Sequence, residues 1–212
     1  MNILAIDTSS RYLSLAICIN DEEIFETFKP VDNKHSDYVL PEIEQLLVRA
    51  NCKISQVESI AYNQGPGSFT GLRVGLSVAL GLAFGIDAKL IPIPSFALHA
   101  SAQYEKSGCL DKQILVGLDA RLGDIYVAGL NMPDLDYFMS PQMIKPEECI
   151  DITSLRVGDG FVSDMVYPNA IHLLKIAKSG RYEAVVCEDA DLLYLRNKVA
   201  LSLDEQLKSK KQ

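Results

Sequence analysis

The chain of 212 residues contains no tryptophan and only three histidines, His35, His99 and His172. These stand far apart, with no HxxxH or HExxH pair to set two metal ligands on one helix face. The five cysteines, Cys18, Cys52, Cys109, Cys149 and Cys187, include no CxxC pair. An odd number of scattered thiols fits reduced, mostly buried side chains better than a disulfide framework or a zinc knuckle. Positive charge is short as well: 20 Lys and Arg face 28 Asp and Glu, a net charge of −8. Such a surface repels phosphate backbones and argues against unaided nucleic-acid binding. Lys208, Lys210 and Lys211 near the end read as a solvated terminus. The uncharged, strongly apolar stretch Val74 to Ile86 has 13 residues, short of the roughly 18 that span a bilayer. The N-terminus enters a strand directly, Asn2-Ile3-Leu4-Ala5-Ile6, without a basic n-region. A cytoplasmic globular protein with no membrane partner is expected.

What is present is an alternation of strands and helices. Ile3 to Ile6 reads as a buried strand ending in Asp7, and Leu13 to Ile19 and Ile24 to Phe28 as two more. Apolar residues at Val39, Leu40, Ile43, Leu46, Leu47 and Ala50 predict a helix over His35 to Ala50, with Pro41 tolerable near its first turn. Ser55-Gln56-Val57-Glu58 has capping-box spacing, and Ile60-Ala61-Tyr62 looks like a fourth strand. A glycine-rich turn, Gly65 to Gly71, precedes a helix from about Thr70 to Phe84. Leu90 to Ile93 is a strand and Ser95 to Tyr104 a helix. The second half restarts: Ile114 to Asp119 echoes Ile3 to Asp7, and Asp124 to Leu130 supplies a hairpin partner. This suggests a duplicated α/β unit with a boundary near 105–112. After Asn131 the pattern loosens. Pro133, Pro141 and Pro146 break the chain, with a short strand at Leu155 to Val157 and a helix at Asn169 to Ser179.

The most unusual segment is Gly65-Pro66-Gly67-Ser68-Phe69-Thr70-Gly71-Leu72-Arg73-Val74-Gly75. It reads either as a phosphate cradle at a helix N-terminus or as a structural turn that packs tightly. No Lys-Ser or Lys-Thr follows its last glycine, so it is not a Walker A loop. The helix beyond it is apolar on nearly every face. Gly71, Gly75, Ala79 and Ala83 form a stripe of small side chains, with Leu72, Leu76 and Leu80 on one side and Val74, Val78 and Leu82 on the other. Such a helix is either a central core helix or one whose missing cover comes from a partner protein. Acids and bases are sparse. Asp7, Thr8, Gly67 and Asp119 are weak candidates for a metal–nucleotide contact, and an Asp at a strand end is also a common turn former. Asp119-Ala120-Arg121 has Asp–Arg pairing across a hairpin as its simplest account. No Ser-His-Asp or Cys-His constellation emerges.

With these residues in view, the sequence resembles the bacterial TsaB family, also called YeaZ. The resemblance rests on Ile3-Leu4-Ala5-Ile6-Asp7-Thr8-Ser9, His35-Ser36 with Leu40-Pro41, the glycine block at 65–75, Asp119-Ala120-Arg121 with Tyr126, and Tyr194-Leu195-Arg196. It implies an α/β, actin-like (sugar-kinase-like) fold of two lobes, residues 1–106 and 107–212, the second abbreviated. It also implies a non-catalytic scaffold in making threonylcarbamoyladenosine at tRNA adenosine 37. The implied partners are a TsaD-like catalytic paralogue and a TsaE-like ATPase, with a homodimer when alone and tRNA contacted only indirectly. No intrinsic cofactor or metal is implied; ATP and Mg²⁺ serve the complex. The catalytic paralogue carries an HxxxH motif where this chain has Ser95-Phe96-Ala97-Leu98-His99, keeping one histidine. An actin-like ATPase or kinase, or a glycoprotease-like peptidase, is the alternative. The small stripe Gly71, Leu72, Gly75, Leu76, Ala79 and Ala83 is the expected partner surface, and Gly75→Leu is expected to block pairing while the monomer stays folded.

Overall fold

The computed structural model describes residues 1–32, 34–108, 112–145, 148, 155–160 and 167–196. Cys109, Cys149, Pro146 and the lysines of the C-terminal segment lie outside the described residues. Among the described residues nine strands form two sheets. The first has the order β3-β2-β1-β4-β5, from β1 (Ile3–Asp7), β2 (Tyr12–Ile19), β3 (Glu23–Pro30), β4 (Ser59–Gly65) and β5 (Lys89–Pro94). The second has the order β8-β7-β6-β9, from β6 (Gln113–Asp119), β7 (Ile125–Asn131), β8 (Asp136–Ile144) and β9 (Leu155–Val157). In each sheet an antiparallel hairpin, β1–β2 or β6–β7, adds a parallel neighbour, β4 or β9. The second sheet therefore repeats the first with one strand fewer, as the restart at Ile114 suggested.

Alternation along the strands decides the layers. Ile3, Ala5, Ala16, Cys18 and Ile93 point to one face, where helices α3 (Ser95–Lys106) and α4 (Ala170–Lys178) pack with Ile114, Val116, Leu130 and Val157 of the second sheet. Leu4, Ile6, Leu13, Leu15 and Ile17 point to the other, under α1 (His35–Arg49) and α2 (Phe69–Ile86). The first sheet is thus covered on both faces, and each fully buried Leu or Ile contributes about 1.5–3 kcal/mol. α1 and α2 form the outermost layer.

The C-terminal stretch returns to the first sheet. The Ala170 amide donates to Ser14 Oγ at 2.8 Å, and α4 lies against β1 and β2. Val185 exchanges backbone hydrogen bonds with Leu90, the Leu193 amide donates to Gln64 O, and Tyr62 Oη donates to Asp191 O at 2.8 Å. This strap then reaches the β6–β7 hairpin, where Arg196 pairs with Asp124 at 2.7 Å.

Three local expectations change. Pro141 does not end the pattern: it lies within β8, an edge strand, where a missing N–H is tolerated. Ser55-Gln56-Val57-Glu58 starts no α-helix; Ile54–Gln56 is a single 3₁₀ turn in which Gln56 Oε1 accepts from the Lys53 amide. Pro41 sits inside α1 beyond its first turn, at an exposed position.

Helix α2, with 18 residues and a mean hydropathy of 1.6, is long and apolar enough by composition to cross a membrane. Its packing on the first sheet assigns it instead to the fold. Between α3 and α4 lie His99 and His172. Burial pulls the His99 imidazole down to about 4, and His172 beside it adds to the shift. His172 is also lowered, again chiefly by burial. Unfolding lets both protonate near 6.5, so stability is full above that pH and declines as pH falls toward 4. The His99 contribution is at most about 3 kcal/mol. In urea titrations at about pH 7.5 and about pH 4.5, His99→Gln is expected to lose less stability on acidification than the wild type. An equal loss in both proteins refutes the assignment.

Candidate functional site

The glycine block joins β4 to α2, and its geometry is set by the turn after β1. Ser68 caps α2, its Oγ accepting from the Gly71 amide at 3.3 Å, while the Ser68 amide donates to Ser9 O at 2.7 Å. A Cβ on Gly67 would stand 2.9 Å from Ser9 Cβ. Thr8 Oγ1 donates to Gly71 O at 2.7 Å, and a Cβ on Gly71 would overlap the Thr8 carbonyl oxygen. The loop is sealed against residues 8–9. Its Ser68 amide donates to Ser9 O, and this arrangement fits a packed turn.

Asp7 is buried at the same junction. Its Oδ1 accepts from the Ser9 amide at 2.9 Å and from Asn63 Nδ2 at 3.1 Å. Desolvation raises its pKa despite those bonds and the nearby His35. Asn63 is the hub that the sequence did not disclose. Its Nδ2 also donates to Ser9 Oγ, and its Oδ1 accepts from the Gly65 amide and Ser95 Oγ. One amide side chain thereby ties β1, β4 and α3 together. A lone Asn within a strand carries no motif by which to find it.

Asp119 ends β6 in the other sheet. Its Oδ1 accepts from the Arg121 amide and its Oδ2 pairs with Arg121 Nη1 at 3.1 Å. The Asp–Arg hairpin pairing is as expected, and no hydrogen bond among the described residues links Asp119 to Asp7. Nor do the described residues contain a group of three His, Cys, Asp or Glu side chains that could hold a metal ion.

The expected partner stripe faces the wrong way for a surface. Gly71, Leu72, Gly75, Ala79 and Ala83 are buried, and Leu76 is half-buried against the same core. A Cβ on Gly75 would overlap Thr8 Oγ1. The small residues serve close approach of α2 to β1 within the chain, so Gly75→Leu cannot leave the monomer undisturbed.

The opposite face of α2 is open. Ser77, Gly81 and Gly85 repeat at intervals of four, and Cβ atoms on Gly81 and Gly85 would meet nothing within 4 Å. Phe69 and Phe84 at the ends of the helix are 69% and 81% exposed. Between α1 and α2 runs a groove of about 350 Å³, lined by Ser36, Val39, Leu40, Phe69, Thr70, Arg73, Val74, Ser77 and Val78. Leu40 and Val48 extend the apolar surface along α1. This is a second small stripe, flanked by Val74 and Val78, and it offers close helix approach from outside.

Comparison with known proteins places this geometry. Residues 29–209 match the family model described as TsaD: tRNA N6-adenosine threonylcarbamoyltransferase. The tRNA threonylcarbamoyladenosine biosynthesis protein TsaB of Haemophilus influenzae is 29% identical over 94% of this chain and 95% of its own length. The chain belongs to the TsaD family, in its TsaB (YeaZ) group. The Escherichia coli TsaB is 28% identical over 94% of this chain and 96% of its own. The solved structure of YeaZ from Pseudomonas aeruginosa superposes with a TM-score of 0.81 at 26% identity, covering 92% of this chain and 99% of that one. These TsaB relatives match nearly end to end, so the mixed α/β architecture with two sheets is that of the group.

The two small stripes of α2 give opposite predictions. Gly71→Ala is expected to destabilise the fold by about 1–3 kcal/mol through overpacking against Thr8. Gly81→Ala is expected to be neutral or stabilising by up to about 1 kcal/mol, since it adds helix propensity in open space. Urea unfolding of the two variants measures both, and equal stabilities refute the inward–outward assignment.

Proposed function

We propose that this chain is a non-catalytic, cytoplasmic subunit in the synthesis of threonylcarbamoyladenosine on tRNA adenosine 37, pairing with a TsaD-like catalytic paralogue. The observation that carries this reading is the open outer face of α1 and α2. An apolar groove with a stripe of small residues is suited to receive helices of another protein. The names of the TsaB relatives supply the process. The single His99 in place of a histidine pair supports a role without metal-dependent transfer chemistry. The reading carries no intrinsic nucleotide, with ATP and Mg²⁺ used elsewhere in the assembly and a TsaE-like ATPase as a further partner.

In this reading the fold is actin-like, with residues 1–106 as the partner-binding lobe and 107–212 as a reduced second lobe. The net charge of −8 favours protein contact over direct grip on tRNA. Pairing would bury roughly 1,600 Å² in total, the size of a stable specific interface, and would order the partner's catalytic cleft. The same face can support a homodimer when the partner is absent, and that dimer yields when the partner is added.

Gly81→Leu tests the mechanism. The added side chain projects into open space, so the monomer is expected to fold normally while close helix approach is blocked. Size-exclusion chromatography with light scattering, on the chain mixed with the catalytic paralogue from the same cell, should give a one-to-one heterodimer for the wild type. It should give separate components for the variant. A retained heterodimer with folded Gly81→Leu sinks this use of α2.

A further inference from the structure

The apolar groove between α1 and α2 contains one cation. Arg73 is the only charged residue of α2. Arg11, Arg121, Arg181 and Arg196 each face a carboxylate, whereas Arg73 and Arg49 meet none among the described residues; Arg49 lies outside the groove, on Glu26 O and Thr27 Oγ1. The Arg73 guanidinium is nevertheless held in place. The Cζ atom lies 3.4 Å from the Phe69 ring centroid and 5.7 Å from that of Tyr194. Nη1 donates to Phe69 O at 3.1 Å and Nη2 to Tyr194 Oη at 3.0 Å. Of the five guanidinium N–H groups, two are thus engaged and three have no described partner.

Helix stability does not account for this arginine. It stands near the N-terminal end of α2, where the macrodipole favours negative charge and a cation is unfavourable. Cation–π contacts with Phe69 and Tyr194 orient the planar fork, and Tyr194, itself 60% exposed, comes from the C-terminal strap. An arginine fixed between aromatic rings at the rim of an apolar groove has the composition of an interface anchor. Its rotamer freedom is already reduced before binding, which lowers the cost of forming a bidentate pair.

We infer that Arg73 receives a carboxylate from the helix that docks in the groove. The occupant is a helix of the partner protein with an apolar face for Leu40, Val74 and Val78 and one Asp or Glu over the start of α2. The inference rests on the pairing reading and adds to it a specificity-determining residue. A partner helix with the same apolar face but no acid leaves Arg73 desolvated and unpaired, and is discriminated against.

The test is titration calorimetry of the full chain with the catalytic paralogue at low and high salt. Thermal unfolding of each variant alone establishes that it is folded. Arg73→Gln should weaken binding by about tenfold or more and Arg73→Glu by about a hundredfold or more. Arg73→Gln should also lose much of the salt dependence that the wild type displays. Arg73→Lys keeps the charge, drops the planar fork, and should fall between wild type and Arg73→Gln. Should Arg73→Glu fail to fold, the Lys and Gln variants alone carry the comparison. Binding by folded Arg73→Gln within about twofold of wild type, with unchanged salt dependence, overturns the inference and leaves the pairing reading intact. Absence of wild-type pairing overturns both.

Discussion

The contact of Gly71 and Gly75 with Thr8 organises the outer half of this molecule. Because neither glycine has a Cβ, α2 lies flush on the end of β1, and Thr8 Oγ1 can reach the Gly71 carbonyl. That approach fixes the rotation of α2 about its axis, since the small stripe must turn inward. The remaining faces follow from the helical period. Leu72 and Leu76 pack on the core, Val74 and Val78 form the wall of the groove, and Ser77, Gly81 and Gly85 look outward. The same contact closes the glycine loop over Ser9 and commits its amide to the protein. Packing of the helix and closure of the glycine loop on Ser9 are thus one structural fact with two effects.

Much of the fold could be read from the residues because its signals are local. Ile3 to Asp7 and Ile114 to Asp119 are short apolar runs ending in Asp, and each became an interior strand at the corresponding position of its own sheet. Asn169 caps α4 as its side-chain type suggests. β8 escaped notice because Pro141 signals a break, and only an edge position makes it tolerable. The helix apolar all round was legible as a helix in need of two covers. Which stripe met which cover was not, because Gly71/Gly75/Ala79/Ala83 and Ser77/Gly81/Gly85 have the same spacing and similar size. Only the location of Thr8, more than sixty positions away in the chain, separates them.

The site residues divide along the same line. Asp7, Thr8, Gly67 and Asp119 stood out by residue type, yet three of them serve one packed junction and the fourth a hairpin in the other sheet. Asn63 and Arg73 matter through what surrounds them. Asn63 is satisfied by four partners drawn from three elements, and Arg73 is clasped by aromatic rings from two distant segments. Gly65 and Phe69 stand nearby in sequence, but Asp7, Ser95 and Tyr194 do not, and those contacts complete each environment.

The C-terminal strap has a consequence for the order in which the chain can acquire its structure. Ser14 waits for Ala170, Leu90 for Val185, Tyr62 for Asp191, and Arg73 for Tyr194. Contacts of such long sequence separation close large loops and slow folding. During synthesis, the first sheet can form its own hydrogen bonds, but the face that α4 covers stays bare until the last part of the chain has emerged. The clasp on Arg73 forms later still. On the proposed reading, competence to recognise a partner arrives only once Tyr194 has docked on Arg73, so a nascent chain, or one cut before Tyr194, would not present the finished face.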